Sequence, residues 1–230
     1  MTGLAPSIKS NLTHTNRLVL LVMDIKFPPA KTRLLDAAVK LIRLKGYAAT
    51  TVDELCGEAG VTKGAFFHYF RTKDELGSAA ARHWTDTTAP FFQAAPYHKH
   101  GKALDRVLAY IDFRREMIDG ELAEFTCLAG TLAQEVHTSH PAMARAAGDA
   151  IIGHAETLIA DIQAAMDESG RTFEFAAESL AEHTQAVLQG GFILAKSTGD
   201  AECARESMRH LRRYVELLFQ TYVNREGEKQ

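Results

Sequence analysis

Seven residues between positions 51 and 73 have side chains suited to contacting a nucleic acid. They are threonines at predicted helix starts, two lysines, a glycine, a phenylalanine and a histidine, namely Thr51, Thr62, Lys63, Gly64, Phe67, His68 and Lys73. Hydroxyl groups and free amides at a helix N-terminus bind phosphate, and lysine contributes a positive charge. Each residue alone is more often an ordinary surface or core residue, so the interpretation requires that they share one face.

Two short capped helices would bring these side chains together. Residues 51–54, Thr-Val-Asp-Glu, form a capping box that predicts a helix ending at about Ala59. Gly60 suits a tight turn, and Thr62 caps a second helix that extends over about 63–70. Two helices of this length and spacing are typical of a helix-turn-helix, whose second helix enters the major groove of DNA.

The second of these helices is predicted to have one buried and one bare face. Phe66 and Phe70 are four residues apart and can pack inward, which leaves Lys63 and Phe67 facing outward. Gly64 is a poor helix former, so its presence favours a close approach of the backbone to another molecule.

The rest of the chain predicts an all-α fold. A helix with one apolar stripe extends from Lys31 to a stop at Gly46, and a second capping box at 72–75 opens a longer helix. Helices are predicted near 73–88, 102–118, 122–137, 141–168, 174–197 and 201–223. No segment shows the period-two alternation of a strand. Residues 1–30 are interpreted as a loose leader, within which Met23 is a second candidate for the translation start.

Composition excludes several other classes of protein. The 230 residues are 46% hydrophobic and carry a net charge of −3, with a basic excess in 31–83 and an acidic excess in 84–230. Three widely spaced cysteines exclude a disulfide framework and suit a reducing cytosol, and no apolar run is long enough to span a membrane. No catalytic or nucleotide-binding motif occurs, and Glu135, His137 and His140 lack a further ligand at helical spacing. We therefore expect no enzyme activity, metal or cofactor.

Between Gly46 and Leu76 the sequence resembles the TetR family of transcriptional regulators. The resemblance is carried by residues 46–55 (GYAATTVDEL), 59–70 (AGVTKGAFFHYF) and 73–76 (KDEL). It implies a DNA-binding domain at 31–76, with its core at 31–72 and a connecting helix from 73, and an all-α effector-binding and dimerisation domain at 77–230. It also implies a cytoplasmic homodimer on a palindromic double-stranded operator.

The resemblance also implies a role for each of the seven residues. Phosphate contacts are implied for Thr51, Thr62, His68 and Lys73, and base-edge contacts for Lys63, Gly64 and Phe67. Phosphate contacts position a protein on DNA, whereas base contacts specify the sequence. Phe67 stands where the family most often has tyrosine, so a hydrogen bond from a phenol to phosphate is lost.

The helices between 102 and 168 are expected to enclose an effector pocket. Its candidate lining residues are mostly aromatic or apolar, namely Trp84, Phe91, Phe113, Met117, Cys127, Thr131, His154 and Phe192. Such a lining favours a small, mostly apolar ligand, although the same residue types also fill ordinary helical cores.

Cys127 leads to a second hypothesis about the effector. It begins a segment, 127–136, that resembles the surroundings of a reactive cysteine in the NemR-like, electrophile-responsive branch of the family. A cysteine at a helix start can become a nucleophilic thiolate, so an electrophilic effector is the expectation that follows. The alternative is a buried, inert thiol.

The last two predicted helices carry apolar stripes that could pair in a dimer. The stripes are Ala177, Leu180, Ala181, Thr184, Val187, Leu188, Gly191, Phe192 and Ala195 on one helix, and Met208, Leu211, Val215, Leu218, Phe219 and Tyr222 on the other. With their symmetry mates they would form a four-helix bundle, in which Gly190 and Gly191 allow close approach. The alternative is that both stripes face the core of their own monomer.

These features predict a ligand-responsive repressor with three partners: operator DNA, a small-molecule effector and a second copy of itself. No membrane partner is expected. The alternative is a TetR-like DNA-binding or interaction protein without effector control, which a filled pocket would indicate.

Overall fold

The computed structural model describes residues 28–220, and within that range it contains helices and connecting turns but no strand. The α-helices are α1 (Ala30–Lys45), α2 (Val52–Ala59), α3 (Lys63–Tyr69), α4 (Lys73–Gln93), α5 (Ala103–Glu116), α6 (Leu122–Phe125), α7 (Leu128–Val136), α8 (Pro141–Ser169), α9 (Ala177–Thr198) and α10 (Glu202–Phe219), with a 3-10 helix at Pro96–Lys99. This confirms the predicted all-α fold. Most of the predicted leader, and Tyr222, lie outside the described residues.

Helices α2 and α3 form as their capping residues predict. The Thr51 hydroxyl accepts the Glu54 amide at 3.3 Å while the Glu54 carboxylate accepts the Thr51 amide at 2.9 Å, which completes the first capping box. Gly60 ends α2 with φ of +61°, a conformation that glycine adopts without strain. The Thr62 hydroxyl then accepts the Ala65 amide at 3.2 Å and starts α3.

The second predicted capping box is only half formed. The Thr72 hydroxyl accepts the Glu75 amide at 3.1 Å, but the Glu75 carboxylate accepts the amide of Arg71, one residue further back. Helix α4 also continues past its predicted end and includes Pro90. Pro90 is exposed, so solvent can satisfy the carbonyl group that loses its amide partner.

The helix predicted over 122–137 is interrupted at Thr126 and Cys127, which both have extended backbone. The Arg43 Nε donates to the Thr126 carbonyl at 2.6 Å, and the Cys127 sulfur accepts the Gly130 amide at 3.5 Å. The break therefore leaves a carbonyl free to accept a hydrogen bond from the Arg43 guanidinium of α1. Helical periodicity does not encode such a long-range contact.

Two clusters of buried side chains hold the molecule together. One combines α1–α4 with α7 and the start of α8, and the other combines α5, the later part of α8, α9 and α10. Cys127 packs against both clusters and lies where they meet. The buried core around the helix-turn-helix is thus continuous with helices that follow position 77.

The apolar stripes of α9 and α10 lie inside the single chain. Helix α9 packs against α8 on one side and α10 on the other. Leu180, Leu188, Leu211 and Val215 are each at most 3% exposed. The assignment of these stripes to a dimer interface is therefore wrong, because two neighbouring helices of the same chain already cover them.

None of the helices within residues 28–220 is both long and apolar enough to cross a membrane. In the same part of the chain, no three side chains among histidine, cysteine, aspartate and glutamate are grouped as a metal site would require.

Candidate nucleic-acid interface and effector cavity

Helix α3 presents a bare face beside a buried one. Phe66 and Phe70 are 0% and 3% exposed, whereas Phe67 is 57% exposed and Lys63 and His68 lie on the surface. The Phe67 ring lies 5.2 Å from the Phe66 ring between centroids, but more than half of the residue is open to solvent. The face expected to meet DNA is therefore free to do so, although its contacts with DNA stay a prediction.

Lys63 is held by an ion pair with the preceding helix. Its ammonium lies 2.6 Å from the Asp53 carboxylate of α2, which raises the pKa of Lys63 above its usual value. Both side chains are more than 60% exposed, so water screens this pair and it contributes little to stability. A guanine base could replace Asp53 as the partner of Lys63 at small cost.

The protein's own packing does not require glycine at position 64. A Cβ atom there would meet nothing nearer than the Thr62 hydroxyl at 3.7 Å. Thr51 and Thr62 are exposed at the starts of α2 and α3, where each accepts one backbone amide through its hydroxyl oxygen. Their hydroxyl groups are therefore on the surface beside the bare face of α3.

Lys73 has partners inside the chain. Its ammonium donates to the carbonyls of Tyr47 and Thr50, both at 3.0 Å, and lies 4.2 Å from the centre of the Tyr47 ring. The Tyr47 hydroxyl in turn donates to Asp74, and burial together with that carboxylate raises the pKa of Tyr47. Lys73 thus fixes the turn between α1 and α2, and one N–H remains for the phosphate contact that the family resemblance implies.

Two further exposed residues flank the predicted contacts. Tyr69 is 37% exposed with its ring 4.8 Å from that of His68, and Arg71 is exposed just before α4. Both have donors that suit phosphate. Sequence reasoning overlooked them, although their positions next to His68 and Lys73 were a usable signal.

A cavity of about 210 Å³ lies between α4, α5, α8 and α9. Six of the eight predicted pocket residues line it: Trp84, Phe91, Met117, Cys127, His154 and Phe192. Phe91 and Met117 are also exposed, which places them at its opening.

The other two predicted pocket residues, Phe113 and Thr131, do not line the cavity. Phe113 packs against the rings of Phe91 and Tyr97, with both centroids at 5.6 Å, and forms part of the wall behind them. Thr131 is buried beside α9, where its hydroxyl accepts from Lys196 at 2.8 Å. Both assignments are wrong, because α-helical spacing alone does not decide which neighbour a side chain meets.

The cavity is also lined by charged and polar residues that were not predicted from the sequence. Arg43, Arg114, Glu124, Gln185 and Gln189 all line it. They come from α1, from α5, from α6 and from α9, so no local motif links them. The predicted lining contained no arginine or carboxylate.

His154, Arg114 and Gln185 of the cavity wall form a hydrogen-bonded network with Tyr110 at one end of the cavity. The His154 Nε2 atom lies 2.9 Å from the Tyr110 hydroxyl and 3.1 Å from Arg114 Nη1, and Gln185 donates to the same hydroxyl at 3.1 Å. Burial, followed by the nearby charge of Arg114, lowers the pKa of His154 to about 3. His154 is therefore neutral at physiological pH and accepts hydrogen bonds through Nε2.

The opposite end of the cavity joins it to the helix-turn-helix. Arg43 extends from α1 over the Trp84 ring, 4.7 Å from its centre, and donates to the Thr126 carbonyl. The Glu135 carboxylate of α7 accepts the Ala48 amide at 3.0 Å in the turn that follows α1. Arg43 thus belongs both to the cavity wall and to α1, the helix that packs against α2 and α3.

Cys127 lies at this same end. It lines the cavity at the start of α7, where its sulfur accepts the Gly130 amide at 3.5 Å. Together, the capped α2–α3 pair with its bare face and the helical part with its cavity define a helix-turn-helix protein with a cavity-bearing C-terminal part.

Known protein families match both parts of the chain. The family described as "Bacterial regulatory proteins, tetR family" matches residues 34–80. The family described as "Tetracyclin repressor-like, C-terminal domain" matches residues 103–211. The chain belongs to the TetR family, whose members are transcriptional regulators.

Individual relatives are similar over shorter stretches or at low identity. The transcriptional regulator AcuR of Cereibacter sphaeroides is 30% identical over 107 residues, 46% of this chain and 49% of AcuR. The matches span 19% to 49% of the length of the first three curated relatives.

Solved structures establish the fold. Escherichia coli NemR in its reduced form has a TM-score of 0.66 at 24% identity, over 80% of this chain and 95% of NemR. A cysteine mutant of CifR complexed with 26-bp operator DNA has a TM-score of 0.67 at 15% identity, over 82% of this chain and 97% of CifR.

Proposed function

We propose that this protein is a cytoplasmic repressor that binds palindromic operator DNA as a homodimer and releases it when a small effector occupies the cavity. The observation that carries the proposal is the bare face of α3, where Lys63 and Phe67 are exposed while Phe66 and Phe70 are buried. Membership of the TetR family and the fold shared with the DNA-bound CifR mutant support the same reading.

Dimerisation supplies the second recognition helix. One two-turn helix reads too few base pairs, and two must be about 34–36 Å apart to meet successive major grooves. The outer surfaces of α9 and α10 expose Ile193, Leu194, Tyr214 and Leu217, each at least 40% exposed. Exposed large apolar side chains on two neighbouring helices favour these outer faces, rather than the buried stripes, as the dimer interface.

Release of DNA requires that the effector prefer one conformation over another. Arg43 is part of α1 and also of the cavity wall, and its bond to the Thr126 carbonyl ties the two domains together. An effector that changes the position of Arg43 would move α1 and, with it, the packed α2–α3 pair. The distance between the two recognition helices of the dimer would then no longer fit one operator.

The effector is a small molecule that is mostly apolar or electrophilic. Several aromatic rings line the cavity, among them Trp84 and Phe192, and Cys127 offers a sulfur that an electrophile can alkylate. If the thiol is the sensor, Cys127→Ser will keep its operator after treatment with N-ethylmaleimide while the parent protein releases it. Equal release by both proteins would assign Cys127 to packing. The unfilled cavity favours this regulator over a TetR-like protein without effector control.

Selection of bound sequences from random DNA tests the DNA-binding role. The parent protein should enrich a palindrome, and Lys63→Ala should change the preferred bases at the affected positions, with a loss of about 1–3 kcal/mol at the original site. Lys40→Ala is the matched control, since Lys40 is an exposed lysine of α1 that pairs with Glu58. Failure to enrich any palindrome, or an unchanged preference for Lys63→Ala, would overturn the assignment.

A further inference from the structure

The cavity holds two guanidinium groups that form no ion pair with a carboxylate among residues 28–220. Arg43 enters from α1 and Arg114 from α5. Within residues 28–220, their hydrogen bonds go to the Thr126 carbonyl, the Tyr110 hydroxyl and the His154 ring. All three acceptors are uncharged, so neither positive charge is neutralised by direct contact.

Arg114 is the less compensated of the two. The charge of Glu124 is close enough to interact with Arg43, whereas the groups against Arg114 are a neutral imidazole, a phenol and the Phe92 ring at 4.9 Å. A cation over an aromatic face recovers only part of the free energy lost when a charge leaves water. The Nε and Nη2 atoms of Arg114 also have no acceptor among the described residues.

A guanidinium with a free edge matches a carboxylate. The planar fork of arginine donates two parallel hydrogen bonds to the two oxygens of an acid group, which gives both charge pairing and orientation. The rest of the wall combines aromatic rings such as Trp84, Phe92 and Phe192 with threonine and glutamine side chains and Glu124. The volume of about 210 Å³ limits the ligand to a small molecule, and the rings suit an apolar body.

We propose that the cavity binds a small organic anion, whose acid group pairs with Arg114 and whose apolar or aromatic body packs among Trp84, Phe92 and Phe192. The proposal rests on the effector role of the cavity and specifies the chemical class of the effector. Arg43, at the opposite end and fixed to α1, then contacts the body of the ligand or a second polar group on it.

Matched acids and amides test this proposal on the full-length protein. Benzoate is compared with benzamide, and hexanoate with hexanamide, because each pair differs chiefly in charge. Trp84 is the single tryptophan of the chain and lines the cavity, so its fluorescence reports binding, and the shift in unfolding temperature gives a second readout. At least one acid should bind about tenfold or more tightly than its amide.

Variants assign the effect to one side chain. Arg114→Gln should abolish the preference for the acid, and Arg114→Lys should keep part of it because the charge remains. Arg145→Gln, which changes an exposed arginine outside the cavity, should behave as the parent protein. Equal binding of acid and amide, a preference that survives Arg114→Gln, or no binding of either acid at millimolar concentration would overturn the proposal.

A DNA-retention assay without probes separates this proposal from the proposed function. If the protein retains a palindromic operator but does not distinguish acids from amides, the anion proposal fails and the regulator stands. If it prefers acids but retains no DNA, the regulator fails and the anion site stands.

Discussion

His154 illustrates how the cavity controls a single titratable group. It is largely enclosed, lies 4.4 Å from the Phe92 ring between ring centres, and has Arg114 as a direct neighbour. Both burial and the adjacent positive charge oppose protonation, which is why the pKa of His154 falls to about 3. Its neutral ring can then accept hydrogen bonds from Tyr110 and Arg114.

This shift predicts a pH dependence of stability. An unfolded histidine binds a proton near pH 6.5, whereas folded His154 does so only near pH 3, so the unfolded state binds more protons between these values. The contribution is therefore complete above about pH 6.5 and is lost as the pH falls, by on the order of 1 kcal/mol per pH unit.

Urea unfolding at pH 7.5, 5.5 and 4.5 measures this effect. The free energy of unfolding of the parent protein should fall more steeply with decreasing pH than that of His154→Gln. His137→Gln, an exposed histidine, should follow the parent protein. Parallel curves for the parent and His154→Gln would contradict the prediction.

The close packing of α9 against α10 depends on Gly191 but not on the adjacent Gly190. A Cβ atom at Gly191 would lie 3.3 Å from the Ala204 Cα and 3.5 Å from its Cβ, whereas a Cβ atom at Gly190 would meet nothing within 4 Å. Gly191 therefore allows the two helices of one chain to approach closely. Gly190 faces away, next to the outer apolar surface.

Substitutions at the two glycines should have opposite effects on the fold. Gly191→Leu forces α9 and α10 apart and should destabilise the protein by about 1–3 kcal/mol. Gly190→Ala should be neutral or stabilise the chain by up to about 1 kcal/mol, since alanine is the better helix former. Thermal unfolding monitored by circular dichroism measures both, and a larger loss for Gly190→Ala would refute this packing.

The whole molecule is organised around the meeting point of its two buried clusters. Two residues mark this junction: Arg43 of α1 donates to the Thr126 carbonyl, and Cys127 packs against both clusters. Arg43 and Cys127 also line the cavity. A molecule bound in the cavity is therefore well placed to alter how the helix-turn-helix sits on the rest of the chain.

The proposed dimer predicts a charge-sensitive surface on α9 and α10. Ile193→Glu places a carboxylate among the exposed apolar side chains and should convert the dimer to a monomer with the chain mass of 25.3 kDa. The monomer should also lose most of its affinity for a palindromic operator, since the two half-sites are no longer bound together.

Sedimentation velocity and a gel shift measure these two effects. Ile152→Glu provides the matched control, because Ile152 is similarly exposed but belongs to α8. The interface assignment fails if Ile193→Glu remains a dimer, or if Ile152→Glu dissociates equally.

The helix-turn-helix could be predicted from the sequence because it is formed by local interactions. The hydroxyls of Thr51 and Thr62, the left-handed turn at Gly60 and the inward spacing of Phe66 and Phe70 each involve residues within four positions of one another. Because such interactions act over one helical turn, the sequence was sufficient to predict α2, α3 and their bare face.

Long-range packing decided the cavity and the burial of the α9 and α10 stripes. Arg43 and Arg114 are far apart in the chain, and only the placement of α1 and α5 brings them to one cavity, while Phe113 and Thr131 turn to other neighbours. Amphipathic patterns show that a helix has an apolar face but not which helix covers it. The stripes of α9 and α10 were therefore visible in advance, whereas their burial within one chain depended on the tertiary arrangement of α8, α9 and α10.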